Sequence, residues 1–136
     1  MDYTRQNRDA KVSSTFVLVV EDDPAIRIVF EHMITSLGCV VHSVASGSAA
    51  LEELRRQSFN IIVLDSHLQD MHGSLIARAV RENPELAGTR IIAACSDDSS
   101  VNRRLMMDAG ADVFTVKPVL PDEIVSLIGL MLNWHA

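Results

Sequence analysis

The sequence predicts one α/β domain in which a parallel sheet is covered by helices on both faces. Three observations carry this. Five short apolar runs of strand length alternate strictly with stretches of helical apolar spacing. The clearest runs, Phe16–Val20 and Ile61–Leu64, are continuous rather than alternating, the pattern of strands buried on both faces. Hydrophobic residues make up 48% of the chain but aromatics only 4%, so the core must be built from aliphatic side chains. At 136 residues the chain fits a single domain able to bury a core without disulfide or metal staples. The polar, charge-mixed segment Met1–Ser14 reads as a disordered tail or linker, which leaves the domain over 15–134.

The elements follow in order. Phe16–Val20 is the first strand. Glu21-Asp22-Asp23-Pro24 ends it and suits a helix start, with acids at the positive end of the helix and proline in its first turn. Apolar residues then recur at Ile26, Phe30, Met33, Ile34 and Leu37, a helical spacing that Gly38 closes. Cys39–Val44 is a strand, and Ser46 caps a helix running to about Gln57. Ile61–Leu64 is a fully apolar strand ending on Asp65. Beyond Gly73 a helix with Leu75, Ile76, Ala79 and Val80 runs to about Glu82, where Pro84 forces its end. Ile91–Cys95 is the next strand, Ser96–Ser100 a polar loop, and the helix after it stops at Gly110. Asp112–Thr115 is the last strand. The final helix runs from about Asp122 to Trp134.

Several function classes are disfavoured. The formal net charge is −6 and there is no long basic run, so no nucleic-acid surface is indicated. No stretch is long and apolar enough to span a membrane, and the N-terminus has no apolar core of a secretion signal. The two cysteines, Cys39 and Cys95, sit in apolar runs without zinc-type spacing and read as reduced thiols in a cytoplasmic protein.

In an open parallel sheet ligands bind outside the carboxyl ends of the strands. The first strand ends on Glu21-Asp22, the third on Asp65, the fourth on Cys95-Ser96, and the fifth near Lys117. Carboxylates crowded on one edge repel and raise one another's pKa unless a cation intervenes. Mg²⁺ prefers oxygen ligands, needs few protein carboxylates and keeps positions open for phosphate oxygens. Lys117 adds a second positive group, able to pair with a phosphoryl group or with Asp65. In outline this is a phosphoryl-transfer site with a carboxylate nucleophile.

With these motifs in order, residues 15–134 resemble the receiver domain of two-component response regulators. The resemblance rests on Val19-Val20-Glu21-Asp22-Asp23, on Asp65 with Met71 and Gly73, on Gly110-Ala111-Asp112 and on Lys117-Pro118. The separations agree, with 30 residues from Asp65 to Cys95 and 52 from Asp65 to Lys117. It implies a flavodoxin-like (βα)5 fold with strand order 2-1-3-4-5. It implies Asp65 as phosphoacceptor, Glu21 and Asp22 as the acidic pair binding Mg²⁺, and the backbone carbonyl of His67 as a further metal ligand. Lys117 matches the lysine on the phosphoryl group, and Phe114 the position of a switch aromatic. The partner implied is a histidine kinase or a histidine phosphotransfer protein.

Two positions depart from the family pattern. Cys95 stands where the family has Thr or Ser, and a thiol is a weak donor, so a weakened or reset switch is expected. Ser96 is one residue along the strand and should face the other way. Gln69 stands at a usual proline, which implies a less rigid loop. The plainer readings weigh less. Glu21-Asp22-Asp23 taken alone is a helix start, but Asp65 and Lys117 at matching strand ends favour a site. His42, His67 and His72 fit no zinc spacing and read as exposed loop histidines. Cys95 reads as a small buried residue rather than a redox sensor, and Met106-Met107 as helix packing. Phe114 could equally be core.

The expectation is a signalling domain rather than an enzyme. Phosphorylation of Asp65 would move the fourth and fifth strands and the helix between them, near Ser96–Ala109 and Phe114. With the sequence stopping at Ala136, a stand-alone receiver or a piece of a larger protein such as a hybrid kinase is expected. The alternative is a pseudo-receiver, a protein-binding module that no longer switches, with Cys95 as its main support. A small phosphate-ester hydrolase is disfavoured by the lack of a separate general base.

Overall fold

The computed structural model describes residues 14–132. The expected tail before Ser14 and the expected helix end at Trp134 lie outside the described residues. Five strands and five helices alternate: β1 (Phe16–Val20), α1 (Pro24–Thr35), β2 (Val40–Val44), α2 (Gly47–Arg56), β3 (Ile61–Leu64), α3 (Gly73–Glu82), β4 (Arg90–Cys95), α4 (Ser100–Ala109), β5 (Val113–Val116) and α5 (Pro121–Met131). A short 3-10 turn, Pro84–Leu86, follows α3. All four neighbouring strand pairs are parallel, in the order β2-β1-β3-β4-β5.

The two faces of the sheet build two cores. Leu18, Val20, Ile62, Leu64, Ile91, Ala93 and Cys95 pack against α2, α3 and α4. Val17, Val19, Ile61, Val63, Ile92 and Ala94 pack against α1 and α5 through Phe30, Ile34, Ile124 and Ile128. Alternate residues of each strand thus serve opposite layers, which is why the runs are apolar throughout. Met106 is buried in the first core while its neighbour Met107 is exposed, so only one of the pair is packing.

Element ends differ from the sequence expectation for identifiable reasons. β5 begins at Val113 rather than Asp112. The Asp112 carboxylate instead accepts from the Ile91 amide at 2.7 Å and from Arg81 at 2.8 Å. Helix α1 gives way at Thr35 to a tighter turn, with Gly38 donating to the Thr35 carbonyl at 2.8 Å and adopting φ 95°. Gly110 closes α4 at φ 117°, where a side chain would be strained.

Strand order reverses between β1 and β3, the positions that lead outward to β2 and to β4. The crevice outside their carboxyl ends is where such a sheet holds a ligand. Gly73 keeps that edge tight. Its amide donates to the Ser66 carbonyl at 2.6 Å, and a Cβ on it would meet the Asp65 carbonyl oxygen at 2.1 Å. Only glycine admits this approach.

Candidate functional site

The first cluster is an acid pocket at the ends of β1, β3 and β5. Glu21 and Asp65 are buried and Asp22 is half-buried. One carboxylate oxygen from each of the three lies within 4.8 Å of the others. The Lys117 ammonium, itself buried, reaches Glu21 Oε1 at 2.5 Å and Asp65 Oδ2 at 3.3 Å. Ladder bonds fix these residues. The Glu21 amide donates to the Val44 carbonyl, the Asp65 amide to Val20, and the Lys117 amide to Cys95. The Lys117–Pro118 bond is cis. Of the three consecutive acids only Asp23 caps α1, accepting from Ala25 and Ile26 at 2.9 and 3.2 Å. Glu21 points away from the helix into the pocket, so the helix-start reading accounts for one acid and not for the others.

Burial raises the Glu21 pKa and the Asp65 charge adds to this, against the opposing hydrogen bonds of Lys117 and the Asp23 amide. Burial works against the Lys117 ammonium too, but its hydrogen bond to Glu21 and the charges of Asp65 and Glu21 outweigh it and hold its pKa above the ordinary lysine value. An acid and a base are both shifted upward. For Glu21 the main cause is burial and for Lys117 it is the neighbouring carboxylates, and three carboxylates against one ammonium leave the pocket with an excess of negative charge. The donor set, all oxygen and partly open at Asp22, suits a hard divalent cation such as Mg²⁺.

His67 and His72 form an isolated antiparallel bridge. Its hydrogen bonds run from Gly73 to Ser66 and from Leu68 to Met71. The His67 carbonyl stands outside them, two residues past Asp65. Its ring reaches the other way, to Asp97 Oδ2 at 2.7 Å. That bond, with those of Ser99, holds the Asp97 carboxyl down to about 2.

The second cluster is a neutral corner on the α3–α4 side of Asp65. Cys95 is fully buried. Burial pushes its thiol up, the Ser66 hydroxyl opposes this by hydrogen bonding, and the Asp65 charge adds to it. Ser66 is also fully buried. Its amide donates to Asp65 Oδ1 at 2.8 Å, and its Oγ accepts from Asn102 Nδ2 at 2.9 Å. Asn102 gives its other amide proton to the Asp97 carbonyl at 2.9 Å, and its Oδ1 accepts from His72 Nε2 at 2.9 Å. His72 Nδ1 accepts from the Ser74 amide at 3.1 Å and caps α3.

Of the three histidines read as exposed loop residues, only His67 is one. His42 lies within β2, and His72 is half-buried and bonded through both nitrogens. Ser96 is exposed and, as expected from the alternation, faces away from Cys95. It helps line a groove of about 370 Å³ with Ile26 and Val29 of α1 and Lys117, Pro118 and Val119. Phe114 is half-buried against the first core, with the Arg103 guanidinium 4.5 Å from its ring centre. The loop containing Gln69 is tied down by Asp70, whose carboxylate accepts from the Gly47 and Ser48 amides at 2.9 Å each.

Ser66, Asn102 and Asp70 were missed in the sequence. Asn102 left a signal: it shares the spacing of Met106 and Ala109, the buried face of α4. Ser66 and Asp70 left none beyond their nearness to Asp65.

Fold and pocket together define a receiver. Residues 17–129 match the family described as the response regulator receiver domain, and the chain belongs to that family. The TorCAD operon transcriptional regulatory protein TorR of Escherichia coli is 30% identical over 109 residues, covering 80% of this chain and 46% of that protein. Hybrid signal transduction histidine kinase L of Dictyostelium discoideum is 33% identical over 118 residues, covering 82% of this chain and 7% of the kinase. The chain thus spans less than half the length of these curated relatives. Among solved structures, a CheY-like receiver domain protein from Methanospirillum hungatei superposes with a TM-score of 0.82 at 26% identity, over 88% of this chain and 94% of that one. The flavodoxin-like order 2-1-3-4-5 is common to the family and to this chain. Among the described residues no helix is long and apolar enough to cross a membrane.

Proposed function

We propose that this receiver, over residues 15–134, accepts a phosphoryl group on Asp65 from the phosphohistidine of a histidine kinase or a histidine phosphotransfer protein in the cytoplasm. A carboxylate oxygen of Asp65 attacks phosphorus. The P–N bond breaks, the imidazole leaves with the electron pair and takes up a proton, and an aspartyl phosphate remains. Glu21, Asp22 and Asp65, with the His67 carbonyl, are the groups that would hold Mg²⁺. When bound, Mg²⁺ supplies positive charge opposite the phosphoryl oxygens. Lys117 meets the same oxygens from the β5 side, exchanging its contacts with Glu21 and Asp65 for the incoming group. The output is a change of conformation at Cys95, Phe114 and α4 rather than turnover of a separate substrate.

The observation that carries this reading is the excess of buried negative charge around Asp65, with Lys117 already in contact. The test is incubation with Mg²⁺ and acetyl phosphate, followed by intact mass. The expected result is addition of one phosphoryl group that requires Mg²⁺ and is abolished by Asp65→Asn, since an amide is no nucleophile. Unchanged labelling of Asp65→Asn, or no labelling of the parent at saturating donor, would overturn it.

A further inference from the structure

The corner beside Asp65 poses a problem and holds a solution. Cys95 supplies no strong donor to a new group on Asp65. The residue that does carry a hydroxyl there is Ser66, adjacent to Asp65 in the chain, fully buried, and hydrogen-bonded to α4 through Asn102.

The orientation of this network is fixed by its two ends. The Asp97 carbonyl can only accept, so the atom of Asn102 facing it is Nδ2. Oδ1 then faces His72, and His72 Nε2 must carry a proton. The Ser74 amide can only donate, so His72 Nδ1 must be bare. Both ends demand the same neutral tautomer, and every polar atom of the Asn102 side chain is satisfied. Asn102 spends both its donors, on Ser66 Oγ and on the Asp97 carbonyl. Ser66 Oγ accepts from Asn102, so the Ser66 O–H, in the buried corner that also holds Cys95, is the proton of the network that can turn without breaking that bond.

We infer that Ser66 is the positioning residue that couples the state of Asp65 to helix α4, in the role that a hydroxyl at position 95 would otherwise fill. A group added to Asp65 draws the Ser66 O–H toward itself. The Ser66 Oγ lone pairs turn with it, and the change reaches Asn102 in the first turn of α4 and Asp97 in the preceding loop. The link lies wholly between the β3 end, the β4–α4 loop and α4. It rests on the proposed function in one respect, that Asp65 is the group modified.

The test separates loading from response. Parent protein, Ser66→Ala, Asn102→Ala and the double variant Ser66→Ala with Cys95→Thr are loaded with BeF₃⁻ and Mg²⁺. Loading is followed by ¹⁹F resonance of the bound fluoride, and response by amide hydrogen exchange over residues 97–109. The parent is expected to load and to change its exchange there. Ser66→Ala and Asn102→Ala are expected to load equally and to lose the response about fivefold or more. The double variant is expected to regain it through the threonine hydroxyl, which a merely structural defect would not permit. Equal loading with an undiminished response in Ser66→Ala and in Asn102→Ala would overturn the coupling while leaving the phosphoacceptor reading intact. A parent that fails to load overturns that reading, and the coupling with it.

Discussion

Asp65 and Ser66 are consecutive, yet they belong to regions built on opposite principles. The pocket around Asp65 is charged, short of positive charge, and open toward solvent at Asp22. The corner around Ser66 is neutral and closed, and Asn102 has no unused donor or acceptor. The first gains from a newcomer that brings charge. The second is complete as it stands, and a change next door can only rearrange it. The contrast is that of a receptor beside a transmitter, joined by one peptide bond.

Three substitutions break or sharpen this contrast, in falling order of effect. Lys117→Met removes the ammonium from a buried pair and leaves Glu21 without a counter-charge. Loss of one partner of such a pair costs about 3 kcal/mol, eased as Glu21 takes up a proton. Urea unfolding with a chelator should show this loss, and millimolar Mg²⁺ should recover most of it by restoring positive charge. An equal loss with and without Mg²⁺ would mean that the pocket is not held by charge balance.

Asn102→Ala strips the corner of its centre and strands the His72 donor. Leaving buried polar groups unsatisfied costs about 2 kcal/mol. Here the loss should be the same with chelator and with Mg²⁺. A Mg²⁺-dependent loss would show that the regions are not electrostatically separate.

The smallest effect is expected of Asp70→Ala, at the far end of the same loop. The Gly47 and Ser48 amides hold the Asp70 carboxyl below the usual carboxylate range. A depressed carboxyl contributes stability that is present above its unfolded value, about 4, and is lost as the pH falls through the folded value. The variant should therefore melt lower than the parent near neutrality, and the two curves should converge in acid. A gap that persists at low pH would assign the effect to packing of Met71 against Gly47 rather than to the anchored charge.

The contrast also explains what could be read in the sequence. The fold was legible because continuous runs such as Ile61–Leu64 have one economical use, and Gly38, Gly110 and Pro84 punctuate the helices between them. The pocket was legible because buried charge is costly: an acid at the tip of an apolar strand needs partners, and the other strand ends named them. The corner was not legible. A serine, an asparagine and a histidine are each common surface residues, and only their meeting across 36 positions, from Ser66 to Asn102, makes them a unit. His72 shows the difficulty most plainly. Its position just before Gly73 hints at a helix cap, but the sequence has no way to say that its other nitrogen meets α4. Asp112 was misplaced into a strand for the same reason, since its role is carried by a side chain.

The fixed tautomer of His72 has one more consequence. An imidazole N–H that is hydrogen-bonded and shielded between two helices exchanges slowly with water, so its proton should give a separate, far-downfield nuclear resonance. That resonance reads the Asn102 link directly. It offers an intrinsic reporter on the corner, sensitive to what happens at Asp65 and requiring no attached label.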